Sequence, residues 1–184
     1  MTVVERVTPG DRRQVGWLNA AIAQALGRAT GTAAPNLFLT LGRHRRLFRG
    51  WLLFAGALMP GGRLPRRDTE IVILRVAHRR GCTYELEHHR RLGTRAGLTA
   101  AEIDALGAAD IEPDLRWSAR ERAVLAATDQ LLDRRDVDDA TWSRLAAHLD
   151  QRRLIELVML VAHYDMLATT IGTLRIQPDE PRRA

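Results

Sequence analysis

The sequence predicts an all-α protein, and three observations carry that prediction. Ala and Leu dominate an apolar fraction of 46%, while aromatic residues reach only 5%, a balance that favours helix over strand. Two capping boxes stand in the text, Thr99-Ala-Ala-Glu102 and Ser118-Ala-Arg-Glu121, in which the hydroxyl accepts from the third amide and the Glu reaches back. No stretch sustains the apolar–polar alternation of a half-buried strand.

The elements follow from the punctuation. Thr8-Pro9 opens a first helix toward Gly27, since Pro is tolerated at an early helical position. Pro35 begins a second segment, broken near Gly42. A third, Leu47 to Leu58, stops at Met59-Pro60-Gly61-Gly62, a strong breaker. Pro65 starts a helix through Glu70 and Arg75 to Gly81, and the next runs from Cys82 to Arg95 and ends by Gly97. The run Ile71-Val72-Ile73-Leu74 has the composition of a buried strand. Its flanks extend it past strand length, so it is read as a buried helix. The capping boxes then open two helices, Asp138 or Asp139 caps the helix holding Trp142 and Leu145, and a long last helix covers about Gln151 to Leu174. Pro178 and Pro181 mark a frayed basic tail. A length of 184 residues fits one domain, 1–184.

Charge and composition exclude several classes. The net charge is +6 and all 28 basic residues are arginine. Without lysine there is no Schiff-base chemistry and no Walker-type phosphate loop. Acidic residues are interleaved with the arginines, so specific nucleic-acid binding is not expected. Leu98 to Leu106 imitates part of a helix-turn-helix, but no recognition helix follows it. The N-terminus is charged where a secretory segment is apolar, and the longest apolar run, Trp51 to Met59, is too short to span a bilayer. The expectation is a cytoplasmic protein without membrane association.

Cys82 is the single cysteine, so no internal disulfide and no CxxC motif exist. It follows Gly81, a residue suited to end a helix in a left-handed conformation, and it precedes a new helix. A thiol at a helix N-terminus meets unpaired amides and the positive end of the dipole, which favour thiolate. Cys82, Glu85 and His89 are spaced i, i+3, i+7 and share one helix face, and Glu70 on the preceding helix can meet them across the hairpin. A nucleophile, a base and an orienting acid are the parts of thiol activation. Each also has a plain reading: a buried small hydrophobe for Cys82, a capping residue for Glu85, a satisfied core histidine for His89. Tyr84 and His88 are nearby candidates for substrate contact, as is Arg75; Arg79 and Arg90 are further candidate anion anchors. Neither a metal nor an organic cofactor is expected, because no HExxH or CxxC pair accompanies the cluster. An internal echo links Glu70–His78 with Glu156–His163, either a duplicated hairpin or two buried helices with similar demands.

The run Arg67-x-x-Glu70-Ile-Val-Ile-Leu-Arg-Val-Ala-x-x-x-Gly81-Cys82-x-Tyr84-Glu85-x-x-His88-His89, with Arg95-Ala-Gly97-Leu98-Thr99 after it, resembles the core of the carboxymuconolactone decarboxylase family, which includes the alkylhydroperoxidase AhpD. Pro35-Asn36-Leu37-Phe38 with Gly56-Ala57-Leu58 resembles its N-terminal half. The segment Glu121 to Leu174, with Glu156-Leu-Val and His163-Tyr164, resembles its C-terminal half. The resemblance implies an AhpD-like helical bundle that assembles into homo-oligomers. It also implies a proton relay in which Glu70 and His89 match the relay residues, with Cys82 as one cysteine of a redox pair. Glu85 stands where the second cysteine would be, so the family's intramolecular disulfide cannot form. Three readings remain. One is a single-cysteine thiol peroxidase (peroxiredoxin-type antioxidant activity) that takes a peroxide substrate and an external thiol reductant. Another is a decarboxylase-like lyase, with Glu85 and His89 moving protons and a carboxylated lactone as substrate. The third is a non-enzymatic scaffold or interaction protein.

Overall fold

A computed structural model describes residues 4–30, 34–109 and 117–179. Among them every regular element is an α-helix: α1 Arg12–Val15, α2 Trp17–Thr30, α3 Asn36–Gly42, α4 Arg45–Leu58, α5 Arg66–Arg79, α6 Thr83–Arg95, α7 Ala100–Ala105, α8 Ala119–Arg134, α9 Asp139–Ala146 and α10 Gln151–Leu174. The all-α expectation is met. The chain forms two compact units, one from Met1–Pro60 with Thr170–Ala184 and one from Gly61–Thr169.

In the first unit, the helix expected from Pro9 begins later and breaks early. Thr8 does not cap it, because its carbonyl and hydroxyl oxygens accept from Arg43. Asp11 and Gln14 form a capping box for α1, and Gly16, at φ 83°, ends it before Trp17 starts α2. Phe38, Phe48 and Trp51 make an aromatic cluster between α3 and α4, with centroids 5.7–6.0 Å apart. The segment after α10 is tied down rather than frayed. Arg175 turns it at φ 56°, Ile176 is buried, and Asn36 donates to the carbonyls of Gln177 and Pro178 and to Asp179. Pro181 lies outside the described residues.

The second unit is built on α5. Every residue from Asp68 to Ala77 is buried, so Ile71 to Leu74 form a helix enclosed on all sides, and helical flanks outweigh their β-branching. Ile71 and Leu74 join Leu98, Ile103, Leu106, Trp117 and Leu125 in one apolar cluster. Both predicted capping boxes are formed, by Thr99 and Glu102 for α7 and by Ser118 and Glu121 for α8, and Asp138 caps α9. Glu156 of α10 accepts from the amides of Arg63 and Leu64 at 2.6 and 3.0 Å. Its role thus differs from that of Glu70, its counterpart in the internal echo. Among the described residues α10 alone is long and apolar enough to cross a membrane, a test that the core helix of a soluble protein also passes. Leu154, Leu157 and Leu160 of that helix are buried.

Candidate functional site

The site begins at the turn between α5 and α6. Gly81 adopts φ 61°, a conformation that only glycine takes without strain. Its amide returns to the His78 carbonyl, and the Cys82 amide to that of Ala77, at 3.1 and 2.8 Å. The reversal makes Cys82 the N-cap residue of α6. It also aims one face of α6, bearing Glu85 and His89, at α5.

Glu70, Glu85 and His89 converge there. The Nδ1 of His89 lies 2.8 Å from Oε2 of Glu70, and its Nε2 lies 3.3 Å from Oε2 of Glu85. All three side chains are buried, Glu70 completely. Burial opposes charge on the imidazole, but the bonds to Glu70 and Glu85 outweigh it and raise the His89 pKa to about 9. His89 is therefore an imidazolium at neutral pH, donating from both nitrogens. The second Glu70 oxygen faces the half-exposed guanidinium of Arg66 at 3.5 Å.

Cys82 corrects an expectation. A helix N-terminus was expected to favour its thiolate, yet its pKa is raised to about 11. Burial of the thiol is the largest cause. The amides of Glu85 and Tyr84 approach the sulfur and pull the other way, while the Glu85 charge adds to the rise. The pull of these amides is thus present but is outweighed by burial. At neutral pH Cys82 is a thiol.

The other candidates are placed differently. Tyr84 is buried, and its ring lies 5.0 Å from that of the half-buried His88. Arg75 is wholly buried and is bound to Asp129 and to the carbonyls of Leu106, Ala108 and Ala109. Every donor is spent, so it is a fastening between α5 and α8 rather than an anchor open to substrate. Arg79 pairs with Asp133, and Arg90 with Asp104. None of these arginines reaches the relay.

Sequence reasoning missed two members of the cluster, His163 and Tyr164 of α10. The Tyr164 ring stands perpendicular to that of His89, with centroids 5.4 Å apart. Burial, then the charges of Glu85 and Glu70, raise its pKa well above 10. His163 is held below the usual histidine range by burial, which the charge of Glu85 only partly offsets. The available signal was a His-Tyr pair closing the apolar run Leu157 to Ala162. Among the described residues no group of three or more His, Cys, Asp or Glu side chains is arranged to hold a metal.

Residues 45–130 match the carboxymuconolactone decarboxylase family. Several solved structures share the fold. A peroxidase-related protein of Ralstonia eutropha JMP134, described as an alkylhydroperoxidase AhpD core, superposes with a TM-score of 0.84 at 17% identity, over 98% of this chain and 95% of that one. A peroxidase-related protein of Silicibacter sp. TM1040 gives 0.81 at 14% identity, over 97% and 95%. The debrominase Bmp8 gives 0.77 at 19% identity, over 94% and 91%. A cysteine-to-alanine variant of Bmp8 in complex with 2,3,4-tribromopyrrole gives 0.75 at 18% identity, over 96% and 92%. No curated protein matches the chain. At these identities the structural likeness speaks for an AhpD-like fold and not for a shared reaction.

Proposed function

From a chain whose residues 45–130 are a carboxymuconolactone decarboxylase-family segment in an AhpD-like fold, we propose a single-cysteine thiol peroxidase that works through Cys82 and a buried proton relay. The observation that carries this reading is the Glu70–His89–Glu85 chain, continuous by hydrogen bond and ion pair, on the helix that Cys82 caps. A thiol with a raised pKa needs a base at hand, and the Glu85 carboxylate is that base. The Cys82 S–H proton moves to Glu85, and the sulfur attacks one peroxide oxygen. The O–O bond breaks, Cys82 becomes a sulfenic acid, and the leaving alkoxide takes the proton back from the relay to depart as an alcohol. A first external thiol condenses with the sulfenic acid, releasing water and forming a mixed disulfide. A second releases Cys82 and leaves as the oxidised disulfide. Glu85, in place of a second cysteine, thus turns a disulfide-forming site into one that depends on an outside thiol.

One observation favours a second reading. With its pKa raised to about 11, Cys82 is a weak resting nucleophile. A lyase in which Glu85 and His89 move protons on a carboxylated lactone would not need the thiolate.

The test is peroxide consumption in the presence of a small thiol, with trapping of sulfenic acid on Cys82. Native protein consumes peroxide, and Cys82→Ser loses the activity by at least about a hundredfold, the range associated with an essential reacting group. Turnover of peroxide by Cys82→Ser at the native rate defeats the peroxidase reading. Lactone turnover that survives Cys82→Ser but not Glu85→Gln establishes the lyase instead. Release of bromide from 2,3,4-tribromopyrrole, dependent on Cys82, would redirect the same thiol to a halogenated substrate.

A further inference from the structure

The net charge of the protein is confined to one end of the chain. The first 60 residues hold eight arginines against two acidic residues, Glu5 and Asp11, a difference equal to the +6 of the whole chain, while the remaining twenty arginines meet twenty acidic residues. The interleaving expected from the sequence therefore holds only beyond residue 60. There Arg67, Arg75, Arg79, Arg80, Arg90 and Arg120 each pair with a carboxylate. In the first unit Arg12, Arg13, Arg45, Arg46 and Arg49 are exposed, and among the described residues none of them forms an ion pair. Asp11, the acidic residue next to them in sequence, is taken up in capping α1.

The fold of the unit gathers these arginines beside exposed apolar side chains. Arg45 donates to the carbonyls of Arg13 and Gln14 at 2.6 and 3.2 Å, which ties the end of α1 to the first turn of α4. A side chain at Gly16 would meet the Arg45 guanidinium at 3.1 Å, so Trp17, 71% exposed at the start of α2, stands at the same junction. Along α4, Arg46, Arg49, Gly50, Leu53 and Ala57 recur at i, i+3, i+4, i+7 and i+11 and are all exposed, so they line one helix face. The first half of that face is basic and the second half is apolar. Leu53 is 79% exposed, and Leu47, on the flank of the face, is 61% exposed, while Phe48 and Leu58 of the same helix are buried. The first turn of α4 holds no acidic residue, and Arg45 and Arg46 stand where the helix dipole repels cations. The unit thus concentrates positive charge at this place and leaves it without a counter-charge.

We propose that this surface of the first unit, α4 with the junction of α1 and α2, docks on an anionic membrane surface, its arginines meeting lipid headgroups while Leu47, Leu53 and Trp17 enter the boundary between headgroups and acyl chains. Charge complementarity selects the partner. A second copy of the chain would bring the same uncompensated arginines against each other across a two-fold contact. A nucleic acid would satisfy the arginines through its phosphates but would offer the exposed leucines no apolar phase. An anionic lipid surface takes both, because basic side chains are drawn to its headgroups and apolar ones to the acyl boundary. The inference replaces the expectation of no membrane association. It goes beyond the peroxidase reading and does not depend on it.

The experiment is co-sedimentation of the full chain with vesicles of phosphatidylcholine alone and with vesicles of an equimolar mixture of phosphatidylcholine and phosphatidylserine, at about 0.1 M salt, where the screening length is about 10 Å. The protein sediments with the anionic vesicles and not with the neutral ones. Arg46→Gln combined with Arg49→Gln weakens the binding about twentyfold, at about fivefold for each basic residue near an anionic surface. Leu53→Gln weakens it about tenfold, as for a leucine kept out of an apolar phase. All three side chains are exposed, so the helical circular dichroism of each variant stays native. Equal binding to both kinds of vesicle, or binding to neither, overturns the proposal. So does a Leu53→Gln protein that binds as tightly as native protein, since the surface would then be a general anion patch. A DNA duplex that displaces the protein from the vesicles at equal phosphate concentration overturns it in favour of a nucleic acid. A native dimer that Leu53→Gln turns into a monomer by light scattering assigns the face to a second copy and overturns it too. No arm of the test uses peroxide, so a protein inert to peroxide refutes the peroxidase reading and leaves this one standing.

Discussion

At the scale of one residue, Arg75 shows why arginine is needed in an apolar core. Its Nε and Nη2 reach the two oxygens of Asp129 at 2.7 and 2.9 Å. Nη1 donates to the carbonyls of Leu106 and Ala108, and Nη2 to that of Ala109. Five donors meet five acceptors, a match that a lysine ammonium with three donors cannot make. The three carbonyls follow or end α7, so one buried side chain fastens α5 to α8 and holds the segment beyond α7. Replacing it with Met of similar length leaves a partly buried Asp129 and three carbonyls without their donor. Arg75→Met is expected to cost about 3–5 kcal/mol, the range for breaking a buried ion pair, read as a fall in the urea midpoint. A variant with native stability and a raised KM would show instead that Arg75 serves substrate.

At the scale of the helix, Arg67 ties two N-termini together. Glu102 and Glu121 each complete a capping box, and both also receive the Arg67 guanidinium; Nη1 donates further to the Gly97 carbonyl. Burial works against the ionised form of either carboxylate, but the bonds to Arg67 and to the cap residues win and lower both pKa values. One cation thus fixes where α7 and α8 begin relative to α5. Arg67→Met is expected to cost about 2 kcal/mol, as for bonds to charged groups, and Ser118→Ala about 1 kcal/mol, as for one lost cap. Urea denaturation of the two variants checks the order, and a cost for Arg67→Met no larger than that for Ser118→Ala would defeat the double-cap role. These helix starts were legible in the sequence because a capping box is a four-residue pattern. The face shared by Cys82, Glu85 and His89 was legible because it depends only on helical spacing. His163 and Tyr164 were not, since α10 joins the cluster from more than seventy positions away. The state of the thiol was not legible either: the local dipole argument is sound, but desolvation by tertiary packing outweighs it. The break at Gly16 escaped because Pro9 is the louder signal, although Asp11 and Gln14 carry the cap.

At the scale of the whole molecule, the buried relay couples stability to pH. His89 titrates near the ordinary histidine value of 6.5 in the unfolded chain and at about 9 in the folded one. Its folded pKa is raised, so the folded state holds the proton more tightly than the unfolded state. The stabilisation is complete below about pH 6.5 and is lost as pH rises through about 9. A rise from 6.5 to about 9 corresponds to roughly 3 kcal/mol at 1.36 kcal/mol per unit. Other shifted groups leave this window clear. His78 and His163 are lowered and act on the acid side. Cys82, raised from 9.0 to about 11, has the same sign as His89 but begins only where that window closes. The unfolding free energy of the native protein should therefore fall by roughly 3 kcal/mol between about pH 6.5 and about pH 9, measured by urea denaturation at constant ionic strength. His89→Gln should be less stable than native protein at the lower pH and should lose most of the slope, because the glutamine amide cannot titrate. A native protein whose stability is flat across that interval would mean that His89 is not charged in the fold, and the relay would then have no imidazolium to return a proton to the leaving group.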